Sequence, residues 1–299
     1  VDRPIRILAT YNSGALSNET RALPVDHYEN FPVASILLPP SVRRPIESIY
    51  AFARSADDFA DEGSLPDSER LQLLSNYECE LDKIEAAAAT EHPLFVELGH
   101  NVRQFDLPVQ LLRDLIDAFK QDVVKTRYEN YAELSDYCRR SANPIGRLLL
   151  HLFDVRDARL LAMSDKICTS LQLINHWQDV AVDWKKNSTG RVYLPQDDMR
   201  QFGVSDRDIA AETSSDEWRS LMAFQVDRAR RMMLEGAPLV RSIGGRFGIE
   251  LRFIVAGGLA ILDKIEAANF DVFRHRPTVS RRDWMMILCR VIPAALLRR

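Results

Sequence analysis

Three polar side chains recur at an interval of four in the stretch NHWQDVAVDW: Asn175, Asp179 and Asp183. Four residues make about one helical turn, so all three emerge on nearly the same face of a helix. Like charges at that spacing repel by about 0.2–0.5 kcal/mol per pair. A second acidic turn lies far upstream in YAFARSADDFADEG, where Asp57 and Asp61 share a face and Asp58 and Glu62 form another such pair. Arg54 and Tyr50 precede Asp57 on the same helical face, so a cation and a phenol head this carboxylate ladder. Its neighbours Ile49, Phe52, Ala53, Ala56, Phe59 and Ala60 are apolar, which points to a largely buried helix.

Two apolar helices that each present carboxylates one turn apart make physical sense if divalent cations sit between them. Mg²⁺ prefers hard oxygen ligands and uses one or two carboxylates, with waters and substrate phosphate completing its octahedron. Such ions turn the repulsion into attraction and stabilise the charge that develops on a departing diphosphate. Either motif alone reads as well as a solvated acidic face. Both together, on apolar helices of one chain, favour the catalytic reading.

The elements that must position these groups are helical almost throughout. Glycine is scarce and strand-like alternation is nearly absent. The pattern predicts a helix opened by Pro45 and closed by Gly63, and a second capped by Ser68 that runs through LQLLSNYECELDKIEAAAA. A third begins near Pro108, and a short one over Tyr131–Arg140 ends at Asn143-Pro144 before IGRLLLHLF. The longest candidate covers Asp157–Trp184, followed by the loop KKNSTGRVYLP. Helices near Asp216–Arg241, Phe247–Ala268 and after Ser280 complete an all-α chain able to enclose a cavity.

The totals exclude several classes. With 299 residues, 46% of them apolar, 27% charged and a net charge of −4, the chain has ample sequence for a large core and no basic surface for nucleic acid. Cys79, Cys138, Cys168 and Cys289 are scattered, forming neither a zinc motif nor a disulfide framework. No linker marks a boundary, so one domain over 1–299 is expected, with 1–26 as an N-terminal extension and 281–299 as a C-terminal amphipathic helix. No apolar run reaches about 18 residues, and no signal peptide is evident. A cytoplasmic protein is expected, with at most peripheral contact at the inner membrane face through RRDWMMILCRVIPAALLRR; a last helix packed on the domain and broken near Pro293 is the competing reading.

The motifs ENFPVASILLP, IYAFARSADDFADE and QLINHWQDVAVDWKKNSTGRVYLP, in that order, resemble the squalene/phytoene synthase family of head-to-head isoprenoid synthases. The resemblance runs from about His27 to the C-terminal helices. It implies one all-α isoprenoid synthase domain around a central apolar channel, with the acidic motifs facing each other at its mouth. It further implies that Asp57, Asp61, Asp179 and Asp183 hold Mg²⁺, with Asn175 completing the second metal site. Tyr50, Arg54, Gln172 and the His27–Asn30 stretch fall on diphosphate-contacting positions, and Arg191 is a further candidate cation. Tyr50 and Arg191 also admit plainer readings, as a core residue and a loop charge. His176, Trp177 and Trp184 are read as packing residues.

Departures from the family pattern sharpen the expectation. Gln178 stands where many relatives carry Arg, Val182 where they often carry Glu, and Tyr28, Glu29 and Asn30 replace a serine-rich approach. SANPIG, after Arg139 and Arg140, replaces a small-residue stretch. Losing one cation and one anion near the metals implies a site tuned to fewer phosphates. That resembles the bacterial hydroxysqualene synthase branch, which takes presqualene diphosphate from a sister enzyme, needs no NADPH and passes its product to a downstream reductase. A synthase condensing two prenyl diphosphates, and a non-catalytic helical scaffold, remain the alternatives.

Overall fold

The apolar stripe of the first acidic helix does what its spacing predicts. In the computed structural model, which describes residues 38–61, 65–186, 189–274 and 276–296 (backbone only for 292–296), α1 spans Pro40–Asp61. Phe52, Ala56 and Ala60 are fully buried along it. Phe52 meets the Phe95 ring edge-on at 6.0 Å, and Tyr77 packs between Phe59 and Phe95 at 5.2 and 4.7 Å. Aromatic pairs of this kind add about 0.5–1.5 kcal/mol each beyond burial. They clamp α1 to α2 (Asp67–Glu85) and α3 (Pro93–Phe105).

Three more helices complete the first half: α4 (Val109–Val124), α5 (Tyr131–Ser141) and α6 (Asn143–Leu152). Then comes the central helix α7 (Ala158–Gln178), continued by α8 (Val180–Trp184). Asp157 caps α7, its carboxylate accepting from the amides of Arg159 and Leu160 at 2.8 and 3.2 Å. Short α9 (Gln196–Phe202) and α10 (Asp206–Ala210) lead to α11 (Asp216–Gly236), α12 (Leu239–Ser242), α13 (Gly245–Ala267) and α14 (Arg281–Leu296). Among the described residues all regular structure is helical, and the fold is a single all-α domain. α11 lies closely on α7. A Cβ at Gly236 would sit 2.7 Å from the Met163 carbonyl oxygen, so glycine permits the approach, and Ser170 Oγ donates to Ala229 O at 2.8 Å.

Several boundaries differ from the sequence reading. Pro45 lies inside α1, near enough to its start that the missing amide costs one early hydrogen bond. Gly63 lies outside the described residues. Ser68 is the second residue of α2 and Pro66 takes the cap position, so no hydroxyl caps that helix. The segment Asp157–Trp184 is interrupted at Asp179 (φ −106°, ψ 12°), leaving α13 and α1 as the longer helices. Pro238 divides Asp216–Arg241, and α14 continues through Pro293. α3, α9 and α10 were not anticipated.

Candidate active site

The C-terminal ends of α1 and α8 meet across Lys186. Its Nζ lies 2.5 Å from Asp61 Oδ2 and 3.2 Å from Asp183 Oδ1. The two acidic turns are thus brought together at one end of a cavity of about 400 Å³. Asp57, Asp61, Asn175, Asp179 and Asp183 all line it, as do Tyr50, Arg54 and Gln172. Earlier turns of the same helices supply apolar lining, Ile46, Ile49 and Ala53 on α1 and Cys168 and Leu171 on α7. Both helices run from an apolar end to an acidic mouth. The irregular residue Asp179 does not spoil the register, because its amide still bonds Asn175 O at 3.0 Å and its carbonyl accepts from Asp183 N at 2.7 Å.

Burial, and behind it crowded negative charge, shows in the acidities. Asp57 opens on the cavity yet is walled by protein; burial first, then Asp61 and Asp122, push its carboxyl up to about 7. Burial lifts Asp183 to about 6 against the pull of Lys186. Burial acts upward on Asp61 as well, but Lys186 and Arg191 outweigh it and hold that carboxyl below the ordinary range. Arg54 pairs with Asp58 at 2.9 Å and sits 3.9 Å from Asp57.

Three groups at this mouth escaped the sequence reading. Lys186 follows Asp183 by three residues, a spacing that signals an ion pair on a helical turn. Arg276 grips Asp179 with two donors, Nε and Nη2, the latter at 3.0 Å. It comes from a distant arginine-rich segment without periodicity, so nothing in the sequence flags it. Asp122, near the C-terminus of α4, is buried and accepts from Tyr137 Oη at 2.6 Å and Tyr193 Oη at 3.0 Å. The Tyr193 ring in turn stacks on His176, centroids 3.6 Å apart. His176, read as a packing residue, lines the cavity; burial keeps its imidazole neutral.

Other expectations need correction. Arg191 does not line the cavity. It stands behind Asp61, donating to Asp61 Oδ1 at 2.7 Å and to the Asp122 carbonyl at 2.8 Å. The charge argument from positions 178 and 182 fails on geometry. Gln178 is buried, points away from the cavity and donates to Pro277 O at 2.5 Å, while Val182 is half exposed. Neither lines the site, because residues next to the Asn175–Asp179–Asp183 face project roughly 100° away from it. His27, Tyr28, Glu29, Asn30 and Glu62 lie outside the described residues. Trp177 is fully buried. Trp184 packs over Gly190, whose φ of 67° and contact with the indole leave no room for a Cβ.

Residues 25–283 match the squalene/phytoene synthase family. The chain belongs to that family. A hydroxysqualene synthase from Sinorhizobium fredii is 36% identical over 238 residues, covering 79% of this chain and 78% of the relative. A 15-cis-phytoene synthase from Synechocystis is 30% identical over 292 residues, 93% of this chain and 83% of the relative. The crystal structure of squalene synthase HpnC from Alicyclobacillus acidocaldarius superposes with a TM-score of 0.75 at 38% identity, covering 82% of this chain and 90% of that one. As a squalene/phytoene synthase, the protein is a head-to-head isoprenoid synthase acting on prenyl diphosphates.

The family implies Mg²⁺, and the donor set of this mouth fits it. The groups are hard oxygens, and burial, with neighbouring carboxylates adding to it, makes Asp57 and Asp183 harder to ionise, a cost that a bound cation would offset. Among the described residues no three such side chains already converge on one point. Lys186 pairs with Asp61 and Asp183, and Arg276 with Asp179.

Proposed function

We propose that this synthase is a hydroxysqualene synthase, which converts presqualene diphosphate and water into hydroxysqualene and diphosphate. The observation that carries the reading is the joining of four aspartates, from α1 and from α7–α8, at one end of an apolar cavity. Similarity to hydroxysqualene synthases supports the finer choice. Asp57 and Asp61 on one side, and Asn175, Asp179 and Asp183 on the other, would hold Mg²⁺. Bound there, the metal would stabilise the charge on the departing diphosphate.

The chain's own groups do the rest. Arg54 and Tyr50 face the cavity on the stripe that carries Asp57, placed to hold the diphosphate, with Gln172 opposite. Arg191 keeps Asp61 ionised and oriented from behind. Loss of diphosphate breaks the carbon–oxygen bond and leaves a cyclopropylcarbinyl cation. It rearranges in the cavity beside the apolar lining of Ile46, Ile49, Ala53 and Leu171, and water then adds with loss of one proton. Electrons balance without a reductant. A separate enzyme must build the cyclopropyl diphosphate, and a reductase must remove the hydroxyl later.

A second reading, condensation of two prenyl diphosphates, is favoured by the phytoene synthase match over 93% of the chain. Incubation with presqualene diphosphate and Mg²⁺ is expected to give hydroxysqualene by mass spectrometry, and farnesyl diphosphate alone is expected to give no product. Turnover of farnesyl diphosphate alone would select the condensing reaction.

No described helix is long and apolar enough to cross a membrane. α14 nevertheless exposes Trp284, Met285, Met286 and Leu288 beside Arg281, Arg282 and Arg290, and peripheral lipid contact through this face is part of the proposal. Changing both Met285 and Met286 to Glu in the full chain is expected to cut co-sedimentation with anionic vesicles about tenfold. Wild-type protein that stays in the supernatant would refute it.

A further inference from the structure

Two polar atoms in the cavity wall lack partners. Tyr137 and Tyr193 line the cavity too, but both donate their hydroxyls to Asp122, at 2.6 and 3.0 Å. His176 Nε2 and Ser141 Oγ differ. Both side chains line the cavity, and both atoms are buried with no hydrogen-bond partner among the described residues. His176 is only 5% exposed, and its ring lies flat on Tyr193, centroids 3.6 Å apart and planes 13° from parallel. That stack fixes the plane in which Nε2 can bond. Buried polar atoms in folded proteins are nearly always paired, by ordered water where the protein offers nothing.

The two atoms belong to neighbouring levels of the wall. Tyr137 approaches His176, ring centroids 6.0 Å apart, and Thr169 Oγ1 donates to Asn143 Oδ1 at 2.9 Å. The chain from α5 into α6 therefore runs opposite to α7, and Ser141 falls at the level of Leu171 and Gln172, one turn from His176. One turn is about 5.4 Å, the span of two hydrogen bonds of about 2.8 Å through a single water. His176 itself stands three residues before Asp179, about 4.5 Å inside the acidic mouth. Departure of the diphosphate leaves the cation at that depth. Ile145, Leu149, Leu171 and Ile254 continue the lining with hydrocarbon. Glu250 also lines the cavity, but it neighbours Phe247, whose ring stacks on Phe153 just before α7 begins, at the end remote from Asp179.

We propose that His176 Nε2 and Ser141 Oγ hold between them the water that captures the carbocation. This rests on the proposed reaction, because only a turnover that forms a cation consumes such a water. Nε2 accepts from one O–H of the water, which turns an oxygen lone pair toward the cavity. That oxygen bonds to the cationic carbon, its other O–H bond breaks, and the proton passes to the departed diphosphate. Neither residue changes charge. Without the held water, a C–H bond beside the cationic carbon breaks instead. Its electron pair forms a double bond, its proton goes to the same diphosphate, and the product is a hydrocarbon lighter than the alcohol by one water.

The test incubates the full chain with presqualene diphosphate and Mg²⁺, reads the ratio of alcohol to hydrocarbon by mass spectrometry, and follows diphosphate release in parallel. His176→Phe keeps the stack on Tyr193 without the nitrogens, and Ser141→Ala removes the hydroxyl. Each is expected to lower the ratio about tenfold, the loss of one hydrogen bond to the water, while diphosphate release changes by less than about threefold. If His176→Phe does not fold by circular dichroism, Ser141→Ala carries the same expectation alone. An unchanged ratio in a folded variant, or alcohol and diphosphate release falling together, overturns the water site. A wild type that makes no hydroxysqualene from presqualene diphosphate overturns the reaction itself, which is a separate result.

Discussion

Replacing Asp57 by Asn is expected to slow diphosphate release from presqualene diphosphate by about a thousandfold, the equivalent of about 4 kcal/mol of lost stabilisation of the leaving group. The amide keeps the shape of the side chain and removes the charge that would hold Mg²⁺. Stability should move the other way. Ionising Asp57 is harder in the folded protein, at about 7, than at its ordinary 3.8. Its ionisation therefore erodes wild-type stability as pH rises across that window, with no contribution below it. The Asn variant lacks this slope and should melt no lower than wild type at pH 8. By the same sign, wild-type affinity for Mg²⁺ should strengthen as pH rises through about 7, since the metal competes with the proton. Calorimetric Mg²⁺ titrations at pH 6 and pH 8 measure it; equal affinities would remove Asp57 from the metal site.

Asp122→Ala is expected to be the most damaging single change to the fold near the mouth. The carboxylate is buried and accepts from two phenols that are themselves buried. Its removal leaves both hydroxyls without that partner, at about 1–3 kcal/mol each. A loss of about 3–5 kcal/mol follows, which in a domain of this size lowers Tm by about 8–15 °C. Asp122→Asn keeps one acceptor oxygen and should recover about half of the loss. Thermal unfolding followed by circular dichroism decides it, and equal Tm values for all three proteins would show that the Tyr137–Asp122–Tyr193 cluster does not hold the wall together.

The parts legible in the sequence were those with a period. Asp57–Asp61 and Asn175–Asp179–Asp183 announce a face by their spacing, and the apolar residues between them announce burial. The helical interruption at Asp179 was invisible because it leaves that period intact. Arg276 was invisible for the opposite reason: a loop charge has no period, and its partner Asp179 is reached only through the packing of the segment before α14. Asp122 reads as one more acid on an amphipathic helix; only the arrival of Tyr137 and Tyr193 makes it a buried acceptor. Position 178 misled because proximity in sequence to a cluster is not direction toward it. The side chain of Gln178 turns to the backbone of Pro277, where it braces the segment that delivers Arg276.

The shared direction of α1, α4 and α7 has an electrostatic consequence. α1, α4 and the α7–α8 pair end at the mouth, so the negative ends of their helix dipoles add up to about half an electron's charge apiece to a rim where five aspartates already outnumber Arg54, Lys186 and Arg276. A bare polyanion is repelled by such a field, and one escorted by counter-ions is drawn in. The entrance thus sorts by net charge before any side chain reads shape, and the rate should follow the concentration of the ion-complexed substrate rather than the total.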